Sequence, residues 1–218
     1  MKRFFFVLLL TSCFLLSACG GEKTLAARPL TSDEIEQVRS AFTQIVYQED
    51  ENGMVAGMAN PISCFFTSYY TDPTQLDLEA FLYNCPVAAT LTEADEAEFQ
   101  VLMAAHPILD GASTLKEMPV PVHRYRKEDI SALLTQYAGI TADDLVNTDG
   151  ARYLAEYDAY YNFTSDFGPG FFICAGGEVA EDTARLWSEP FADGTRAVLT
   201  LHKDGECWLF ASFVKETP

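Results

Sequence analysis

Apolar residues recur along this chain with two different periods. Ile35, Val38, Phe42, Ile45 and Val46 fall on one helical face. Thr31-Ser32-Asp33-Glu34 precedes them with a capping-box spacing, so the pattern predicts a helix of about four turns reaching Gln48, stopped by Asn52-Gly53. Asp77 and Thr92 open two further helices. The first runs through Tyr83 to a stop at Pro86, and the second turns Phe99, Leu102 and Met103 inward. Ile130, Leu133, Leu134 and Tyr137 sit at i, i+3, i+4 and i+7 ahead of Gly139, a helix and its stop. Thr141 with Asp143 and Asp144 begins one more short helix, and Tyr153 to Phe163 reads as helical at first. Pro61 to Tyr70 is rich in aromatics but has no decisive period. Val120 to Arg126 is rich in β-formers, and Pro119 and Pro121 mark it as an edge strand.

From Phe171 the period shortens to two. Phe171 to Ala175, Thr183 to Ser188, Arg196 to His202 and Glu206 to Val214 read as four strands, with Asp204-Gly205 as a tight hairpin between the last two. Strict alternation puts Cys207, Leu209, Ala211 and Phe213 on one face of the last strand. Trp208, Phe210 and Val214 fall on the other, a pattern of a strand covered on both sides or lying inside a strongly curved sheet. Helices first and an antiparallel meander of about four strands last make the expected class α+β, a single domain over residues 31–218. The order is similar to the nuclear-transport-factor-two-like cone, a resemblance that implies helices filling a curved sheet.

The first residues follow another logic. Met1-Lys2-Arg3 is basic, and Phe4 to Leu16 is an apolar run of thirteen residues broken only by Thr11 and Ser12. A spanning helix needs roughly 20 apolar residues, so the run reads as a signal-peptide core. It ends in Leu16-Ser17-Ala18-Cys19. These residues resemble the bacterial lipoprotein lipobox. The resemblance implies cleavage after Ala18, diacylglycerol on the Cys19 sulfur, and acylation (palmitate or a similar chain) of the new amino terminus. Residues 1–18 are then a removed leader, and 19–30 a lipidated cysteine with a flexible tether. The protein is expected on a bacterial cell membrane, lipid-anchored and extracytoplasmic, with the membrane as its first partner.

Composition sharpens this picture. The 218 residues carry 14 Lys+Arg against 32 Asp+Glu, a formal charge of -18, with 49% hydrophobic residues. Such a chain folds rather than staying disordered, and it offers no basic surface for nucleic acid. An acidic domain is also repelled by anionic lipid, which keeps it in solvent beside its anchor.

Candidate chemistry is sparse. Of six cysteines, Cys13 lies in the leader and Cys19 at the lipobox, which leaves Cys64, Cys85, Cys174 and Cys207 either as disulfides or as buried thiols. No Cys-x-x-Cys spacing, His-Glu-x-x-His helix, nucleophile elbow, Walker loop or dinucleotide fingerprint occurs, so neither metal nor cofactor is expected. His106 stands at a helix end, suited to carbonyls, and His202 beside a hairpin turn. Asn147-Thr148-Asp149-Gly150 imitates half of a calcium loop, but Leu145 occupies the first ligand position.

Tyr153 to Phe172 concentrates aromatics among Glu156, Asp158 and Asp166. Tyrosine offers a rigid face with a polar tip, suited to glycans or peptides, which makes Tyr157, Tyr160, Tyr161 and Asp166 the candidate binding residues. The competing reading packs the same tyrosines onto the sheet as core. The function expected is a non-catalytic module that binds a glycan, a peptide or an envelope protein. The alternative is an envelope hydrolase using carboxylates of this segment.

Overall fold

The computed structural model describes residues 26–49, 53–107, 112–163 and 170–217. In chain order its strands are β1 (Arg28–Pro29), β2 (Ile45–Glu49), β3 (Val55–Ala59), β4 (Ala89–Thr90), β5 (His123–Arg126), β6 (Arg152–Leu154), β7 (Ala159–Asn162), β8 (Gly176–Val179), β9 (Thr183–Trp187), β10 (Arg196–Asp204) and β11 (Cys207–Glu216). The α-helices are α1 (Ser32–Ala41), α2 (Leu78–Leu82), α3 (Glu96–Ala105) and α4 (Lys127–Ala138), with short 3-10 segments between them.

Three antiparallel sheets result: β1-β8-β9-β10-β11, the ribbon β2-β3, and β4-β5-β7-β6. This overturns the expected α+β order of N-terminal helices followed by a four-strand meander. Strands are spread from Arg28 to Glu216 among the helices, and the element order behind the cone resemblance is not observed among the described residues.

Several local corrections explain the difference. The first helix stops at Ala41, with Phe42 as its C-cap, although its Thr31–Glu34 capping box forms as the spacing requires. Ile45-Val46-Tyr47, β-branched and aromatic, pair instead with Met58 and its neighbours in the ribbon. Tyr153 to Phe163 is not helical. It is the β6–β7 hairpin, with Asp158 in the left-handed region at φ 46, where a helix cannot continue. The Tyr153 hydroxyl donates to Asp158 Oδ1 at 2.5 Å across that turn. His123–Arg126 is no edge strand, since β4 flanks it on one side and β7 on the other.

Phe171 to Ala175 alternates like a strand, but among the described residues only the Ala175 amide finds a strand-type partner, the Trp187 carbonyl. In β11 the register slips at Thr200/Leu201, so Leu201 faces Phe210 and Leu199 faces Phe213. That bulge leaves Ala211 unmatched and turns Phe210 and Phe213 to the same inner face, where strict alternation separates them. The last hairpin loop is Gly205-Glu206, one residue beyond the expected pair, with Gly205 at φ 59.

The main core lies on the inner face of the five-stranded sheet. Leu186, Leu199, Leu201, Phe210 and Phe213 meet Phe65 and Phe66 of the Pro61–Phe66 turn, Phe81 of α2, and Ile130 and Leu134 of α4. The sheet β4-β5-β7-β6 is a shared wall. Tyr125 and Tyr160 face the main core, while Tyr161, Leu154 and Ala159 face a second core closed by Phe99 and Leu102 of α3. No helix among the described residues is long and apolar enough to cross a membrane.

Candidate functional site

One end of the five-stranded sheet opens into a cleft of about 830 Å³. Its floor is Phe66, Phe172, Ala197 and Phe213, all buried. Its walls come from three connections: Thr67–Tyr69 after the 3-10 turn, Gly170–Ile173 before β8, and Ser188–Phe191 after β9, with Tyr83 and Asn84 at the end of α2. The chain reaches Phe171 through Gly170, whose added Cβ would lie 2.5 Å from the Ser63 carbonyl oxygen. Only glycine allows that backbone approach.

The rim is aromatic and exposed. Tyr69 is 49% exposed, Phe171 56% and Phe191 41%. Tyr69, which lines the cleft, stacks on Phe213 with ring centroids 4.9 Å apart. Lys215, on the same inner parity as Phe213, places Nζ 5.5 Å from the Phe191 ring centroid and donates to Asp193 at 2.6 Å. Asp193 also accepts from the Thr195 amide and hydroxyl, so this ion pair and its hydrogen bonds hold the carboxyl far below its usual range. Three exposed rings over a buried aromatic floor suit a ligand with an apolar body.

The cleft has a fixed direction in the fold. Gly176, Trp187, Val198 and Val214 align across the sheet beside it. Arg28, Val179, Ala184, Leu201 and Phe210 align near the other end, where the described chain enters. Along β10 the two rows cross at Val198 and Leu201, about 10 Å apart.

The sequence candidates lie elsewhere. Tyr160 is 8% exposed and Tyr161 1%, on opposite faces of β7, so both are core side chains rather than a binding surface. Tyr157 packs against the second core, and Asp166 lies outside the described residues. Asp158 is held by Tyr153 on the hairpin turn. Cys64, Cys85 and Cys174 are buried free thiols and Cys207 an exposed one; Cys13 and Cys19 lie outside the described residues. Burial pushes the Cys85 thiol up to about 12. His106 does face a carbonyl, with Nε2 3.4 Å from Tyr153 O, and His202 Nδ1 pairs with the Thr183 hydroxyl at 3.2 Å.

What sequence reasoning missed is Tyr69, Phe191 and the part played by Phe171. The unassigned aromatic segment Pro61 to Tyr70 was the visible signal for the first. Phe191, a lone aromatic after Pro190, carried none. No protein-family model, characterised protein or solved structure matches the chain.

Proposed function

We propose that this protein is a membrane-anchored, extracytoplasmic ligand-binding module that captures a ligand with an apolar or aromatic body in the cleft framed by Tyr69, Phe171 and Phe191. The observation that carries the reading is the cleft itself, of about 830 Å³ with a buried aromatic floor and an exposed aromatic rim. Anchorage rests on Leu16-Ser17-Ala18-Cys19. From Cys19 to Arg28 the chain can extend at most about 30 Å. A lipid on Cys19 would therefore keep Arg28, where the described chain enters the sheet, within about 30 Å of the bilayer.

The test is titration of the full protein, reconstituted in phosphatidylcholine nanodiscs, with cell-wall fragments, oligosaccharides and short aromatic peptides. Saturable binding that falls at least tenfold in both Tyr69→Ala and Phe171→Ala supports the reading. Binding unchanged in both variants overturns it. Anchorage is tested separately, by palmitate labelling that Cys19→Ala should abolish.

A further inference from the structure

Among the described residues that line the cleft, Glu189 alone carries a charge. It sits between Ser188 and Pro190 on the connection leaving β9, and no ion pair among the described residues engages it. The cations nearby are all committed elsewhere. Lys215 is neutralised by Asp193. Arg196 lies over the Trp187 ring at 4.8 Å, and strand alternation puts it on the opposite face of β10 from Ala197, the cleft-lining neighbour. Arg185 is paired with Glu216 and Glu178. Among the described residues, the apolar cleft thus carries one carboxylate without an ion pair.

The rings add a second preference of the same sign. Aromatic faces attract cations through their quadrupole, most strongly where water is partly excluded. The rim already shows this with its own residue, since the Lys215 ammonium lies over Phe191. Tyr69 and Phe171 present further exposed rings that no cation of the described chain covers. Beyond the cleft, 14 basic residues against 32 acidic ones give the whole chain a field that draws positive ligands in and repels anionic ones. A carboxylate or phosphate ligand would meet Glu189 without a free cation to answer it.

We infer that the cleft selects a basic peptide segment, one positive side chain beside aromatic or aliphatic neighbours, with the cation between Glu189 and the rim rings. This deepens the function proposed above and rests on the same cleft. The neighbours of the basic residue occupy the aromatic floor and supply contact area. The charge supplies discrimination, because Glu189 and the rings answer a cation where a neutral side chain of equal shape would gain only the area.

The experiment compares three probes, acetyl-Leu-Phe-Arg amide, its citrulline isostere and its glutamate counterpart, by calorimetric titration of the full protein in phosphatidylcholine nanodiscs. The arginine peptide is expected to bind at least tenfold more tightly than the citrulline peptide, and the glutamate peptide more weakly than both. Glu189→Gln should remove the preference, bringing the arginine and citrulline peptides to similar affinity, with the melting temperature unchanged. Equal affinity for arginine and citrulline overturns the inference. If that equal binding is still lost in Phe171→Ala, the cleft remains the binding site and only its charge preference falls. An arginine preference that survives in Glu189→Gln also overturns it, as does a failure of all three peptides to bind.

Discussion

The phenol of Tyr161 donates to Glu98 Oε1 at 2.5 Å, joining the middle of β7 to α3 inside the second core. Arg124 from the adjacent strand takes the other oxygen, Nη1 to Oε2 at 2.6 Å, with Asp95 3.6 Å away. Burial, with Glu98 as acceptor, raises the Tyr161 phenol well above its usual range, so it stays protonated and remains the donor. Tyr161→Phe should therefore cost about 1–3 kcal/mol, the cost of leaving a buried acceptor short of a partner. Glu98→Ala should cost more than Tyr161→Phe, because it removes the partner of both Tyr161 and Arg124 and leaves the guanidinium only Asp95. Urea unfolding of the two variants gives the order, and neither should alter ligand affinity, since both lie away from the cleft.

Acid should loosen the entry end of the sheet. Arg28 donates to both Glu34 oxygens, at 2.9 and 2.7 Å, and Thr31 adds its amide and hydroxyl. The Arg28 hydrogen bonds, ahead of those from Thr31, hold the Glu34 carboxyl down to about 2. A folded value below the unfolded one means the stabilisation is complete above about pH 4.5 and is lost as pH falls towards 2. Glu34→Gln should flatten stability against pH over that window while leaving the profile above pH 6 unchanged in slope. Thr31→Ala should cost about 1 kcal/mol at neutral pH through the lost cap. Urea midpoints at intervals between pH 2 and 7 measure both.

The thiols should report the fold by their order of reaction. Cys207 is exposed on β11, whereas Cys64, Cys85 and Cys174 are buried and burial raises the pKa of each. In native protein a maleimide should modify Cys207 rapidly and the other three only at the rate of unfolding. In denatured, unreduced protein all four should be labelled. Mass spectrometry of alkylated peptides reads the result, and a cysteine that stays unlabelled after denaturation would show a disulfide in place of the thiols.

How much of this was legible in the sequence depends on how local each signal was. The caps at Thr31, Asp77 and Thr141 and the stop at Gly139 form as their spacings predict, because a cap is decided within four residues. The tyrosines of β6 and β7 misled, since 153, 157, 160 and 161 fit a helical period as well as a two-sided strand. What decides between them is the tertiary wall, with α3 on one side and the main core on the other. The bulge at Ala211 is equally invisible in a chain read by alternation, because it depends on pairing with β10. The cleft draws on six separated segments, and only their packing brings Tyr69 beside Phe213 and Phe191 beneath Lys215.

Gly170 should be the most sensitive single position of the cleft. A methyl there would meet the Ser63 carbonyl oxygen at 2.5 Å and the Phe66 carbonyl carbon at 2.7 Å, both backbone atoms that cannot swing aside. Gly170→Ala should push the Phe171 wall outward, lowering stability by about 1–3 kcal/mol and weakening any ligand of the cleft. Thermal unfolding and titration of the same sample separate the two effects.

The exposed rim and the buried tyrosines should respond oppositely to the same truncation. Tyr160 is packed in the main core with its ring 4.8 Å from that of Tyr153, so Tyr160→Ala should cost about 3–5 kcal/mol through the cavity it leaves. Phe171 is more than half exposed, and Phe171→Ala should stay within about 0.5 kcal/mol of the parent protein. Binding should show the reverse order. Phe171→Ala loses the ring that the ligand touches, while Tyr160→Ala, studied below its lowered melting temperature, keeps the cleft and its affinity. The opposite ranking, affinity lost with Tyr160 and kept without Phe171, would place the site on the β6–β7 hairpin and take it away from the end of the sheet.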